Sequence, residues 1–160
     1  MSGLLRFTEK ISRATNVLAY VALTFIMLLT VTDFILRMFR HPIIWTFEIV
    51  QLAGALVIAF GIPITSWSRG MISVDFLINA FPSRVKNTMN ILTRIIGIVI
   101  FIFIGYNLFI FATDLLISGE VTQTKQLPFY PIVYGMGVAC FIQGLVLFTD
   151  IIKVLGGKYE

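Results

Sequence analysis

The sequence predicts an all-α integral membrane protein: four transmembrane helices, both termini cytoplasmic, and a short interfacial helix between the second and third spans. Three observations lead there. Of the 160 residues, 58% are hydrophobic and 12% charged, whereas soluble domains hold about 45–50% and about 25%. A chain this small has no interior large enough to hide the surplus. Four stretches, approximately 14–38, 44–67, 88–117 and 130–155, reach the roughly 20 apolar residues a spanning helix needs. Between them lies no repeat, low-complexity tract or soluble domain, so residues 1–160 read as one four-helix membrane domain.

Orientation follows from the cations. Arg6, Lys10 and Arg13 precede the first span, Arg69, Arg84, Lys86 and Arg94 surround the middle connector, and Lys153 and Lys158 end the chain. Only Arg37, Arg40 and Lys125 fall on the opposite side. Short connectors rich in Lys and Arg stay in the cytoplasm, so nine against three places both termini inside and the connectors 38–44 and 118–129 outside. The basic "RFTEKISRA" resembles the start of a secretory signal. The apolar stretch after it is too long and lacks a small-x-small cleavage site, which makes it a retained first span. The charge of +4 is dispersed over connectors rather than gathered on one face, so nucleic acid is not an expected partner; the lipid bilayer is.

Ionisable and amide groups inside apolar spans are costly, so each asks for an explanation. Asp33 and Arg37 stand four apart near the end of the first span, the spacing of an intrahelical ion pair. Glu48 opens the second span behind Trp45 in "WTFE". There it can gain from the helix dipole, pair with Arg37 or Arg40 across the connector, or face a partner. Trp45 suits the interfacial belt. Gln51, Ala55, Ala59 and Ser66 form a polar-to-small stripe that lets another helix approach. Pro63 leaves the carbonyl of Ala59 without its usual donor and bends the span, with Gly61, Thr65 and Ser66 close enough to ease the bend.

The middle connector places Val74, Leu77, Ile78 and Phe81 at helical spacing, which fits an interfacial helix over about 72–81 ending before Pro82; an irregular packed loop is the alternative. Arg69 and Asp75 flank this stretch as its organisers, and Ser83 is positioned to cap the third helix. In "LPFYPIVYG", Pro128 and Pro131 preset the backbone ahead of Tyr130 and give the fourth helix a rigid start. Farther along, Gln143 requires a partner on another helix.

Chemistry is poorly served. The single histidine, His41, and the single cysteine, Cys140, exclude paired histidine haem ligation, an internal disulfide and cysteine-rich metal sites. No Gly-rich phosphate loop is present. No cofactor, metal or catalytic residue is expected, and Cys140 reads as a small packing residue.

Arg37 closing the first span, "WTFE" opening the second, "SRGMISVDF" after it and the proline-bearing "LPFYPIVYG" together resemble the small membrane subunit of TRAP transporters, the DctQ family. The family's Arg-x-Gly-His-Ile-x-Val-Asp pattern is matched by Arg69, Gly70, Ile72, Val74 and Asp75, with Met71 where histidine is common and no residue between Arg and Gly. The resemblance implies a tripartite, sodium-coupled importer of organic acids. A periplasmic binding protein captures the substrate, a large membrane subunit moves it, and this chain is a non-catalytic scaffold that helps dock the binding protein. The candidate interface or structural residues are Arg37, Arg40, Trp45, Glu48, Gln51, Ala55, Ala59, Arg69, Asp75, Pro128, Tyr130 and Gln143.

The rival from the residues alone is a four-helix exporter working as a homodimer; a membrane oxidoreductase comes third. An exporter wants a carboxylate deep in the first span, and Asp33 lies too near its end. With Cys140 replaced by serine and a cysteine placed at Ser73, a membrane-impermeant thiol reagent is expected to label only from the cytoplasmic face. Labelling only from outside overturns the topology.

Overall fold

The computed structural model describes residues 2–68 and 83–155. The expected interfacial helix over 72–81, with Arg69 and Asp75, lies outside these residues, as does the Ser83 side chain proposed as a cap. Four helices are described: α1 (Ser2–Met38), α2 (Thr46–Trp67), α3 (Ser83–Ser118) and α4 (Tyr130–Leu155). Each contains a stretch long and apolar enough to cross a membrane.

At 1.5 Å per residue, α2 with its 22 residues is about 33 Å long, close to the ~30 Å hydrocarbon thickness. The 37 residues of α1 and 36 of α3 reach about 55 Å. α1 therefore begins a dozen residues before the apolar run that marks it in the sequence. Its basic leading turns stay helical, and an exposed Glu9 to Arg13 pair at 2.8 Å bridges one turn there.

Contacts fix the directions. Gly97 sits under Leu147, Gly105 under Phe141 and Gly137 under Phe109, so residue numbers rise on α3 as they fall on α4 and the two helices are antiparallel. On α2, Leu56 and Phe60 meet Gly135 while Ser66 meets Gln143, so α2 and α4 run the same way. α4 packs most extensively on α3, α1 on α2, and α2 on α4; the α1 to α4 contact is smaller. The helices thus make a triangle of α1, α2 and α4, with α3 laid against the far side of α4.

This open arrangement makes α4 the hub. In its most apolar window 39% is buried, against 11% or less in the other three helices. Its Ala139 and Val146 are fully enclosed, and with Ala112 and Leu115 of α3 and Ala19 of α1 they are the few buried apolar side chains among the described residues. Large side chains such as Phe25, Leu28 and Phe34 of α1 and Phe103 of α3 stay outward, as expected where lipid is as apolar as the interior. Helix association then depends on close packing. The α3/α4 seam supplies it by setting glycines beneath rings, reinforced by an edge-on contact of Phe109 with Tyr134 at 5.4 Å and a hydroxyl pair of Thr113 and Tyr134 at 3.1 Å.

Gly137 is the tightest of these positions, since an added Cβ would lie 2.8 Å from the Phe109 ring. Gly61 is its opposite, with nothing within 4 Å of an added Cβ. Gly137→Ala is expected to destabilise the chain by about 1–3 kcal/mol through overpacking, whereas Gly61→Ala stays neutral or gains up to about 1 kcal/mol of helix propensity. Thermal unfolding of the two variants in detergent distinguishes them, and equal effects would contradict this α3/α4 seam.

Candidate functional site

The polar features that position surfaces gather at the end of the molecule carrying the connectors 39–45 and 119–129. α1 stops there in a Schellman turn: His41 donates its N–H to the Leu36 carbonyl and Arg40 its N–H to that of Arg37. Arg40 takes the left-handed conformation, φ 61°, that such a turn demands and that glycine usually fills. Pro42 follows directly, where the helix cannot continue. The Asp33 carboxylate, almost fully buried, ties this turn together by accepting from Arg37 Nε at 2.8 Å and from the Ile43 backbone N–H at 2.8 Å.

The second connector is a miniature hairpin. Gly119, at φ 68°, ends α3 with its N–H on the Leu115 carbonyl. Val121 then pairs with Pro128 in a single antiparallel bridge. Inside the bridge, the Thr122 N–H donates to the Leu127 carbonyl at 2.9 Å and the Thr122 hydroxyl accepts from the Leu127 N–H at 3.0 Å, while Gln126 turns the corner at φ 55°. Thr122 is buried within the loop it closes.

Glu48 joins this hairpin to α2. Its two carboxylate oxygens accept from the backbone N–H groups of Thr124 at 2.7 Å and Lys125 at 3.2 Å, one oxygen to each. Hydrogen bonds to an ionised acceptor are shorter and stronger than those between neutral groups, although water reaches this pair and screens it. Lys125 leans back so that its Nζ lies 4.9 Å from the Trp45 ring centroid, within cation–π range. A glutamate at the start of a membrane helix thus holds the opposite connector in place.

Glu48 does stand in the first turn of α2, where the helix dipole favours a carboxylate, but the alternative of pairing with Arg37 is not realised. Arg37 is engaged by Asp33 rather than Glu48, and the position before α2 belongs to Trp45, which makes no side-chain cap. Arg40 is exposed in its turn, Pro128 lies in the hairpin bridge, and Tyr130 begins α4 half-buried. The stripe of Gln51, Ala55, Ala59 and Ser66 is divided: Gln51 is exposed, the alanines are half-buried and Ser66 is buried. Four-residue steps overshoot a helical turn by about 40°, so a stripe built on them rotates from one face to another. The exposed face instead carries Phe47, Gln51, Ile58 and Thr65, with Gly54 and Gly61 open between them.

Farther into the bundle, Gln143 finds the helix partner it requires, its Nε2 donating to Ser66 Oγ at 2.6 Å. At the other end of α4 lies a cluster that sequence reasoning missed. Asp150 sits between Arg94 of α3 at 3.5 Å and Lys153 at 3.6 Å, and Lys153 Nζ stands 3.3 Å from the Trp67 ring centroid at the end of α2. The three-residue step from Asp150 to Lys153 was visible in the sequence; the arrival of Arg94 and Trp67 from other helices was not.

These groups fasten helices and connectors to one another. Among the described residues no three His, Cys, Asp or Glu side chains gather to hold a metal. The family model of the DctQ component of tripartite ATP-independent periplasmic transporters matches residues 26–157. No curated protein and no solved structure matches the chain.

Replacing Glu48 by alanine strips two amides of a charged acceptor and frees the hairpin. Trypsin is expected to cut after exposed Lys125 at least about twofold faster in Glu48→Ala than in the parent protein, the modest factor that losing a solvent-exposed attachment gives. Equal cleavage rates in detergent would show that the hairpin holds itself.

Proposed function

This chain belongs to the DctQ family, the small membrane component of tripartite ATP-independent periplasmic transporters, and from that premise we propose that it is the fixed scaffold of a sodium-coupled importer of organic acids. It is a multi-pass protein of the inner membrane and a transporter component rather than an enzyme. In the proposed assembly the large subunit moves substrate and sodium beside it, and the periplasmic binding protein delivers the substrate to its outer end. Sodium coupling and the organic acid cargo rest on the family resemblance; the scaffold role rests on residues of this chain.

The observation that carries the scaffold reading is the Glu48 attachment. Two outer connectors, far apart in sequence, are joined to one another and to α2 before any partner arrives, through Glu48, Thr124 and Lys125. A preset surface loses little conformational freedom on docking, which favours association. Exposed Arg40 and Lys125 give this end cationic groups suited to electrostatic steering of an approaching protein. Within the spans, transport sites are typically built from broken helices paired across a repeat near the midplane. Among the described residues the one interruption within a span is Pro63, and α2 remains a single helix across it.

The orientation belongs to the same reading: termini inside, the hairpin and the Schellman turn outside, and an interfacial helix over 72–81 organised by Arg69 and Asp75 on the cytoplasmic face. The homodimeric exporter fits less well. Its required membrane carboxylate is best represented by Asp33, which is already committed to Arg37 and Ile43 at the end of α1.

Purification of the tagged chain from its own membrane is expected to bring down a large multi-span subunit in equal amount. Reconstituted with that subunit and the loaded binding protein, the complex should take up an organic acid only under an inward sodium gradient. Arg40→Glu with Lys125→Glu should lower uptake about tenfold at limiting binding protein and low salt, leaving the membrane complex intact, as weakened steering predicts. Uptake unchanged by the double substitution would remove these residues from the docking surface, and recovery of the chain alone as an active homodimer would favour the exporter.

A further inference from the structure

Gln143 is the largest fully buried side chain among the described residues. Its Nε2 is used on Ser66 Oγ, but its Oε1 meets no donor among the described residues. A buried amide oxygen left in this state is destabilising, and such atoms in native proteins are nearly always paired with protein or with an ordered water.

A second acceptor faces the same seam. Pro63, itself fully buried, has no N–H, so the carbonyl of Ala59 lacks the donor that an α-helix would supply four residues on. At 100° per residue, Ala59, Pro63 and Ser66 fall within about 60° of arc on α2. That arc faces α4, because Ser66 bonds Gln143 from it. The nearby hydroxyl of Thr65 offers no relief, being spent on the Gly61 carbonyl at 2.9 Å.

We infer that the α2/α4 seam at Pro63 binds an ordered water that donates one hydrogen to Gln143 Oε1 and the other to the Ala59 carbonyl. Water has two protons for two acceptors, and both acceptors are neutral. A sodium ion would also be drawn to these oxygens, but it would carry an uncompensated charge into an apolar seam with no carboxylate among the groups identified there. The water makes the proline site part of the α2/α4 contact: the helix gives up its own hydrogen bond at Ala59, and Gln143 shares the molecule that replaces it.

The direct test is a map of the assembled transporter in lipid nanodiscs at a resolution that shows water. A peak at about 3 Å from both Gln143 Oε1 and the Ala59 carbonyl oxygen is expected. Gln143 Oε1 accepting from a protein N–H or O–H, with no solvent between the helices, overturns the inference. A functional test uses Cys140, the only cysteine and one turn from Gln143. The rate at which a permeant maleimide labels it on mild heating reports opening of α4.

Pro63→Ala returns a donor to Ala59, and Gln143→Leu removes the other acceptor. If one water serves both, the effect of Pro63→Ala on the labelling rate should differ by at least about threefold between the parent and Gln143→Leu backgrounds, as coupled neighbours do. Effects that multiply independently overturn the shared water. A labelling rate of the parent that changes when sodium is replaced by potassium overturns water in favour of a bound cation.

Discussion

The hydrocarbon of a bilayer offers no hydrogen bonds, so polar groups within it must find partners in protein, and this constraint governs the architecture. The simplest response is local. Thr24, Thr30 and Thr32 of α1, Thr65 of α2 and Thr113 of α3 each return the hydroxyl to a carbonyl one turn back, and Asn107 does the same through its amide. Such groups can face lipid without asking anything of the fold, and of them Thr113 also meets the Tyr134 hydroxyl of α4. Asp33, Glu48, Gln143 and Asp150 cannot be satisfied so cheaply, and each one fixes a contact between separate parts of the chain.

The contacts of Glu48, Gln143 and Asp150 converge on α4. Its leading hairpin is held by Glu48 of α2, its middle by the bond from Gln143 to Ser66 of α2, and its last turns by the pairing of Asp150 with Arg94 of α3. Between these points the glycines of α3 and α4 let the rings of Phe109 and Phe141 lie close to the backbone. An interhelical hydrogen bond in a membrane contributes only about 0.6 kcal/mol on average. Rigidity therefore comes from their distribution along the whole of α4, with packing between, rather than from the strength of any one.

How much of this was legible depended on sequence distance. The four apolar runs and the pairing of Asp33 with Arg37 follow from composition and from the four-residue spacing of a helix. That Gln143 needs a helix partner was also readable; that Ser66 supplies it was not. Glu48 was conspicuous by its position, yet its partners lie 76 and 77 residues away and are backbone amides, which leave no mark in a sequence. The hairpin presenting them depends on Thr122 and on Gln126 in a left-handed conformation, where neither residue type announces a turn as glycine does. The separation of Gln51 from the rest of the α2 stripe was hidden for a different reason: residues at four-residue steps resemble one face while drifting off it.

An open row of helices with a well-fastened hub has a consequence for how such a chain can take part in transport. α3 meets the remainder of the described bundle essentially through α4, and much of α1 faces outward, so broad apolar surfaces remain for lipid or for a larger membrane partner. A chain whose own helices had to slide during transport would gain little from bonds at both ends of α4, since each would have to break in the cycle. The same bonds suit a body that keeps its shape while something beside it moves. On this reading Glu48 acts at a distance from any substrate: by fixing Thr124 and Lys125 relative to Trp45, it converts two connectors that would otherwise sample many conformations into one surface, and it does so from within the helix that the Gln143 bond holds against α4.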